Sequence, residues 1–283
     1  MIMSIIEAII LGIIQGLTEF IPISSTAHLT LAGQLMGLID PDNPEQWTAF
    51  IAVIQLGTLI AVLLYFSKEI RTIPAAFFRE NLVSGRQKIA DQSSDSRMGW
   101  YIILGSIPIV IIGLVFKSVI EGELTKDPIV IASSLIVLAL ILFLAEKVAN
   151  FRKDLGSITL KDAIIVGFAQ CVALIPGSSR SGTTITAGLF LGMNRETAAR
   201  FSFLLSIPAV FGSGLFEFYQ SLEYISAGDL LTMIIAIIAS AISGYAAIAF
   251  LLRFLRTRST LLFINYRIIL GILIFIIFYG NII

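Results

Sequence analysis

The sequence predicts an all-α integral membrane fold of about six transmembrane helices plus two re-entrant helical hairpins, arranged as an inverted-topology repeat. Three observations predict it: long apolar runs in a chain poor in charge, alternation of basic and acidic connections, and two proline-broken polar segments of similar sequence. Of 283 residues, 57% are hydrophobic and 13% charged, whereas a soluble domain carries about 25% charge. Apolar runs near 47–66, 100–117, 128–146, 201–217, 229–252 and 266–283 reach the roughly 20 residues a helix needs to cross hydrocarbon. Residues 1–18 have no basic leading region and run straight into a polar segment, so no cleavable signal peptide is expected. The single Cys171 excludes an internal disulfide.

Charge sets the order of the spans. Basic residues gather in stretch 67–97 (Lys68, Arg71, Arg79, Arg86, Lys88, Arg97), in 147–161 (Lys147, Arg152, Lys153, Lys161) and in 253–267 (Arg253, Arg256, Arg258, Arg267). The connections between them are acidic: Asp40, Asp42 and Glu45, then Glu121, Glu123 and Asp127, then Glu217, Glu223 and Asp229. The positive-inside rule places the basic stretches in the cytoplasm and the acidic ones outside. The polar part of 67–97, "SGRQKIADQSSDSR", reads as a cytoplasmic excursion low in bulky apolar residues.

Segment 162–193 then enters and leaves on the cytoplasmic side, because Arg195 and Arg200 must also lie inside before span 201–217 exits. Its midpoint, "LIPGSSRSGTT", breaks the apolar run with proline, glycine and hydroxyls. Irregular backbone at membrane depth is tolerated only where it packs in protein or lines a wet cavity. The N-terminal segment breaks in the same way at Pro22 and ends at the acidic connection 39–46. "GIIQGLTEFIPISSTAH" from Gly12 and "GFAQCVALIPGSSRSGT" from Gly167 share Gly-x-x-Gln and a later Ile-Pro-x-Ser-Ser. Each is followed by three spans, so residues 1–146 and 147–283 are expected to be two inverted halves whose broken helices meet near the midplane.

Two meeting breaks would pool their polar groups: Gln15, Glu19, Ser24, Ser25, Thr26 and His28 from the first, and Gln170, Ser178, Ser179, Arg180, Ser181, Thr183 and Thr184 from the second. Gln15 and Glu19 share a helix face, as do Ser25 and His28. Each Pro-x-Ser-Ser opens the returning helix with a serine cap. The N–H groups and positive dipole end there favour an anion, and the Arg180 guanidinium matches phosphate. Ionised groups inside a membrane are costly and usually functional. Structural alternatives exist for each part. Ser-Ser-Thr can cap a kink, a single histidine can be a packed polar residue, and an arginine can snorkel. "GIIQG" and "GLFLG" (Gly188 to Gly192) read as helix-packing signatures, and Glu7, Gln55 and Glu217 as structural.

These motifs carry a resemblance to the bacterial undecaprenyl-diphosphate phosphatase family of the bacitracin-resistance type. That family's [E/Q]-x-x-x-E motif is present as Gln15 to Glu19, continuing through Pro22 to His28, and its P-G-x-S-R-S-x-x-T motif as Pro176 to Thr184. The resemblance covers nearly the whole chain. Gln15 leaves a single carboxylate in the first motif, and Ala27 stands where some relatives have glycine. The resemblance implies an inner-membrane, multi-pass phosphatase that converts the C55 prenyl diphosphate to the monophosphate. Such an enzyme recycles the carrier for peptidoglycan and confers bacitracin resistance. It implies Glu19, Ser25, His28 and Arg180 as catalytic, with Gln15, Ser24, Thr26, Ser178, Ser179, Ser181, Thr183 and Thr184 binding substrate. A divalent cation, Mg²⁺ or Ca²⁺, would sit on Glu19, which otherwise orients His28. Either Ser25 or His28 would be the nucleophile, the other assisting. The partners implied are the lipid substrate and membrane lipid, with no nucleic acid and a homodimer left open. One histidine excludes a two-histidine acid-phosphatase mechanism, and no P-loop or Cys/His zinc cluster is present. The rival reading is an anion transporter or lipid-phosphate flippase using the same site.

Overall fold

A computed structural model describes residues 3–40, 42–83, 88–116, 127–224 and 230–279. Arg86, Glu121, Glu123 and Asp229, four of the charges used above to order the spans, lie outside the described residues. Those residues form eleven α-helices: α1 (Ile5–Phe20), α2 (Ser25–Leu35), α3 (Pro44–Tyr65), α4 (Ser67–Phe78), α5 (Ser94–Val115), α6 (Pro128–Val148), α7 (Leu160–Cys171), α8 (Arg180–Phe190), α9 (Arg195–Ser221), α10 (Leu230–Leu255) and α11 (Leu261–Tyr279). Six of them, α3, α5, α6, α9, α10 and α11, are long and apolar enough to cross a membrane. The protein is a multi-pass helical membrane protein. Its outer faces carry Leu114, Leu144 and Ile242, all well exposed, which suits a lipid solvent and no aqueous one.

The helices pack in one row, α1 on α10, α10 on α3, α3 on α9, α9 on α5 and α5 on α7, while α6 and α11 pair beside it and α6 also meets α8. Glycine makes the row's two ends possible. A Cβ on Gly12 would run into the Ala236 carbonyl of α10, and one on Gly167 into the Gly105 carbonyl of α5. Small residues at such contacts let helix backbones approach closely, as expected for "GIIQG".

Stretch 67–97 is largely not a loop. Ser67–Phe78 is the helix α4, whose Ile73 and Ala76 are buried, and it packs against α5. Lys68, Arg71 and Arg79 lie exposed on α4 or at its end while Ile73 and Ala76 are buried, an amphipathic pattern of period 3.6. Beyond α4, Glu80 accepts the Ser93 N–H (2.9 Å), and Gln92 bonds Asn81 (2.9 Å) and Ser96 (2.8 Å). Stretch 253–267 also shortens. Arg253 belongs to α10 and Arg267 to α11, leaving 256–260 as the connection.

The basic residues that mark one end of the molecule are matched by acids from neighbouring segments. Arg195 pairs with Glu146, Arg200 with Glu69, Lys153 with Asp162 (2.8 Å) and Arg256 with Glu196 (2.8 Å). Glu146 also accepts the Thr260 hydroxyl (2.8 Å), tying the ends of α6, α9 and α11 together.

Candidate active site

Both broken segments are built alike at the residue before proline and at the serine cap. In the first, α1 ends at Ile21, which is extended (φ −67°, ψ 136°) as a residue before proline must be. Ser24 then caps α2, its Oγ accepting the Ala27 N–H (3.4 Å). In the second, α7 runs through a short 3₁₀ turn to Ile175, also extended before Pro176. Ser179 caps α8, accepting the Gly182 N–H (3.2 Å). The two capping serines share an unusual conformation: Ser24 at φ 75°, ψ 103° and Ser179 at φ 65°, ψ 111°. Among the described residues only three non-glycines have positive φ, and these are two of them. Such strain costs about 1–3 kcal/mol per residue and persists where the surroundings over-determine it, typically at functional sites.

The breaks are joined by an ion pair. Arg180, the first residue of α8, donates from Nη2 to Glu19 Oε1 (2.7 Å), with side chains only 14% and 11% exposed. The other carboxylate oxygen accepts the Ser25 hydroxyl (2.8 Å) and the Gln15 amide (3.3 Å). Glu19 therefore receives donors from α1, α2 and α8 at once. His28 is placed differently from the expectation that Glu19 orients it. Its Nδ1 lies 2.7 Å from the Ser24 carbonyl oxygen and its Nε2 2.6 Å from the Tyr266 hydroxyl of α11. A chain with one carboxylate at the site gives it to the arginine and the serine, and the imidazole takes neutral partners.

Of the remaining expected binding groups, several hydroxyls are used locally. Ser24 and Ser179 cap helices, Ser181 bonds Ser179 (3.2 Å), and Thr183 (3.0 Å) and Thr184 (2.8 Å) bond the Arg180 carbonyl. Thr184 also pairs with Ser202 of α9 (2.6 Å). Thr26 is exposed, and Ser178 is buried with no partner for its hydroxyl. Arg267, which sequence reasoning counted in a basic loop, is fully buried beneath the second break. Its Nη2 donates to the Ser178 carbonyl (2.9 Å) and, at the limit of range, to that of Gly177 (3.5 Å), leaving Nε and Nη1 without a protein partner. Five described residues carry buried side-chain polar atoms of that kind, and Gln170, Ser178 and Arg267 are three of them. Unpaired buried donors are rare because each costs about 1–3 kcal/mol. Guanidinium, hydroxyl and amide donors together form the set that phosphate oxygens accept from. The signal for Arg267 was legible in retrospect: in "LLFINYRIILGILIF" it has apolar residues on both sides within a span.

Two arginines against one carboxylate, at the N-termini of α2 and α8, make the site net cationic and suited to an anion. A metal fits it poorly. No group of three or more His, Cys, Asp or Glu side chains is gathered among the described residues, and both oxygens of Glu19 already accept other donors.

Gly177 holds the second break in shape. It has φ +81°, and a Cβ there would run into Ser134 and the Ile131 carbonyl of α6; Ser134 in turn bonds the Pro176 carbonyl. Gly177→Ala should therefore lower the thermal unfolding midpoint in detergent, by a free energy of about 1–3 kcal/mol. An unchanged midpoint would show that the turn relaxes freely.

Fold and site together define a polytopic membrane protein whose two broken segments bring together two arginines and a serine hydroxyl resting on a carboxylate. The chain belongs to the bacitracin resistance protein BacA family, whose model matches residues 8–273. It is 59% identical over 269 residues to the undecaprenyl-diphosphatase of Syntrophobacter fumaroxidans, covering 95% of each chain. It is 51% identical to that of Chlorobium phaeobacteroides, again over 95% of each. With the undecaprenyl-diphosphatase of Myxococcus xanthus the identity is 49%, over 97% of this chain and 89% of the relative.

Proposed function

We propose that this protein is an undecaprenyl-diphosphatase of the bacterial cytoplasmic membrane, hydrolysing the lipid diphosphate to undecaprenyl phosphate and inorganic phosphate. Such a reaction regenerates the lipid carrier of peptidoglycan synthesis. One observation carries the chemical part: the Ser25 hydroxyl donates to Glu19 Oε2 (2.8 Å) while Arg180 holds the other oxygen. A site for an anion in transit needs binding groups but no hydroxyl poised on a carboxylate, and this favours the hydrolase over the transporter.

In this account the terminal phosphoryl group is bound by Arg180 and Arg267 with the Ser178 hydroxyl and the Gln170 amide. As Arg180 turns from Glu19 to the phosphate, Glu19 is freed to take the Ser25 proton. Ser25 Oγ attacks the terminal phosphorus, the anhydride bond breaks, and undecaprenyl phosphate leaves with the bonding pair. Water then attacks the phosphoserine, giving its proton to His28, while Ser25 Oγ leaves and recovers its own proton from Glu19. Arginine donors stabilise the charge that develops on the equatorial oxygens.

The inverted halves 1–146 and 147–283 are supported by the packing row, which exchanges like for like when α1 and α7, α10 and α5, and α3 and α9 are swapped. Both breaks and α11 come from one chain, so this account needs no second copy.

A divalent cation, if the reaction uses one, would be held chiefly by the substrate's phosphate oxygens, as Mg²⁺ commonly is with few protein ligands, and would supply charge neutralisation. At substrate well above KM the free Mg²⁺ concentration for half-maximal rate should then fall as the lipid diphosphate is raised, because only enough complexed substrate to reach KM is needed. A midpoint independent of substrate would place the cation on the protein. The function itself is tested by incubating the purified protein with undecaprenyl diphosphate. One phosphate and one lipid monophosphate per substrate are expected. Intact lipid after incubation, together with phosphate flux in liposomes, would overturn the reading.

A further inference from the structure

We propose that Tyr266 is the positioning residue of His28, fixing the imidazole in one tautomer and standing as the partner that follows its change of charge. The inference rests on His28 being the base of the second half-reaction. Tyr266 and Arg267 are consecutive on α11, and neighbours on a helix point about 100° apart. One side chain therefore reaches the first break while the other lies under the second.

The tautomer follows from the partners. The Ser24 carbonyl oxygen, 2.7 Å from His28 Nδ1, can only accept, so Nδ1 carries a hydrogen. In the neutral ring Nε2 is then the bare nitrogen, and it accepts the Tyr266 hydroxyl at 2.6 Å. The two ring planes lie 5° apart with centroids at 5.5 Å. His28 Nε2 gains its proton from the Tyr266 hydroxyl, which takes the water's proton in exchange; both ring nitrogens then donate, and the phenol oxygen has turned from donor to acceptor without movement of either ring. A carboxylate in this place would favour the imidazolium and slow its return; a carbonyl would demand an N–H on both sides. A phenol serves both states.

The other charged groups of the site are committed elsewhere. Glu19 of α1 and Arg180 of α8 pair with each other, and Arg267 of α11 bonds the backbone of the second break. On its own helix His28 has only the Ser24 carbonyl. Among the described residues, Tyr266 is thus the one side chain that hydrogen-bonds the imidazole.

His28 is the only histidine of the chain, so protein labelled with ¹⁵N-histidine gives a single imidazole pair by NMR. The wild type in detergent at neutral pH should show a protonated Nδ1 and an unprotonated, hydrogen-bonded Nε2. Tyr266→Phe should move the Nε2 resonance or admit the second tautomer. It should also lower kcat by about tenfold to a hundredfold and displace the kcat–pH profile, with KM little changed. In a His28→Ala background the same substitution should add nothing. A wild-type spectrum with Nε2 protonated and Nδ1 bare would overturn the proposal without any variant. So would a Tyr266→Phe protein with an unaltered spectrum and pH profile. Absence of phosphate release from the wild type would instead strike the phosphatase reading and leave the NMR result to decide the tautomer.

Discussion

Arg180→Ala should reduce phosphate release by about a thousandfold or more, the scale on which arginines act in phosphoryl transfer. Among the described residues, Arg180 is the side chain of the second break that bonds the first, through Glu19 (2.7 Å). Without it the phosphoryl group loses its bidentate donor and the halves of the site lose their link. The substitution also strands a carboxylate, and breaking a buried pair costs about 3–5 kcal/mol, so recovery of folded protein has to be followed in parallel. Arg180→Lys separates the effects. It keeps a cation for Glu19 but loses the planar fork, and should fold normally while retaining about one to ten per cent of the rate. Full activity in the lysine variant would reduce Arg180 to a structural counter-charge.

The second large effect is expected at Ser25. Ser25→Ala removes the proposed nucleophile, and turnover should fall by at least about a thousandfold, as it does when the nucleophile of a catalytic unit is deleted. Its helix should survive, because the α2 cap is Ser24 and the Ser25 hydroxyl bonds only Glu19. Glu19→Gln, which keeps the shape but cannot take a proton, should cost a comparable factor. The pair should be non-additive, since both serve one step. His28→Ala should be milder in the first half-reaction and slow the second, so that a phosphorylated protein accumulates. If His28→Ala abolished the first step while Ser25→Ala left it intact, the roles would be exchanged.

Much of this site was legible in the sequence because it is locally encoded. Proline ends a helix, serine opens the next one, and Gln15 and Glu19 four residues apart must meet; each rule acts within one turn. The meeting of Arg180 with Glu19, 161 residues apart, was legible only through the similarity of the two broken segments. For Arg267 and Tyr266 the deciding contact was tertiary. Arg267 stood among basic residues and was counted with them, but α11 begins at Leu261 and carries it into the interior. Tyr266 gave no signal, since its partner His28 lies 238 residues away. The threonines of α8 were expected to bind phosphate; each also has a local partner, since Thr183 and Thr184 bond the Arg180 carbonyl one turn back, as hydroxyls in apolar helices tend to do. Helix α4 was hidden by its charges, which cover one face while Ile73 and Ala76 bury the other.

The central claim is that a serine of the first break attacks a phosphoryl group held by an arginine of the second. It is tested most directly by rapid quench of the protein with prenyl diphosphate labelled on its terminal phosphate, followed by mapping of the labelled peptide. The account predicts transient label on Ser25 in the wild type and none in Arg180→Ala, which retains that serine. Label on His28 or on a serine of the second break, or turnover with no labelled protein at any quench time, would contradict it.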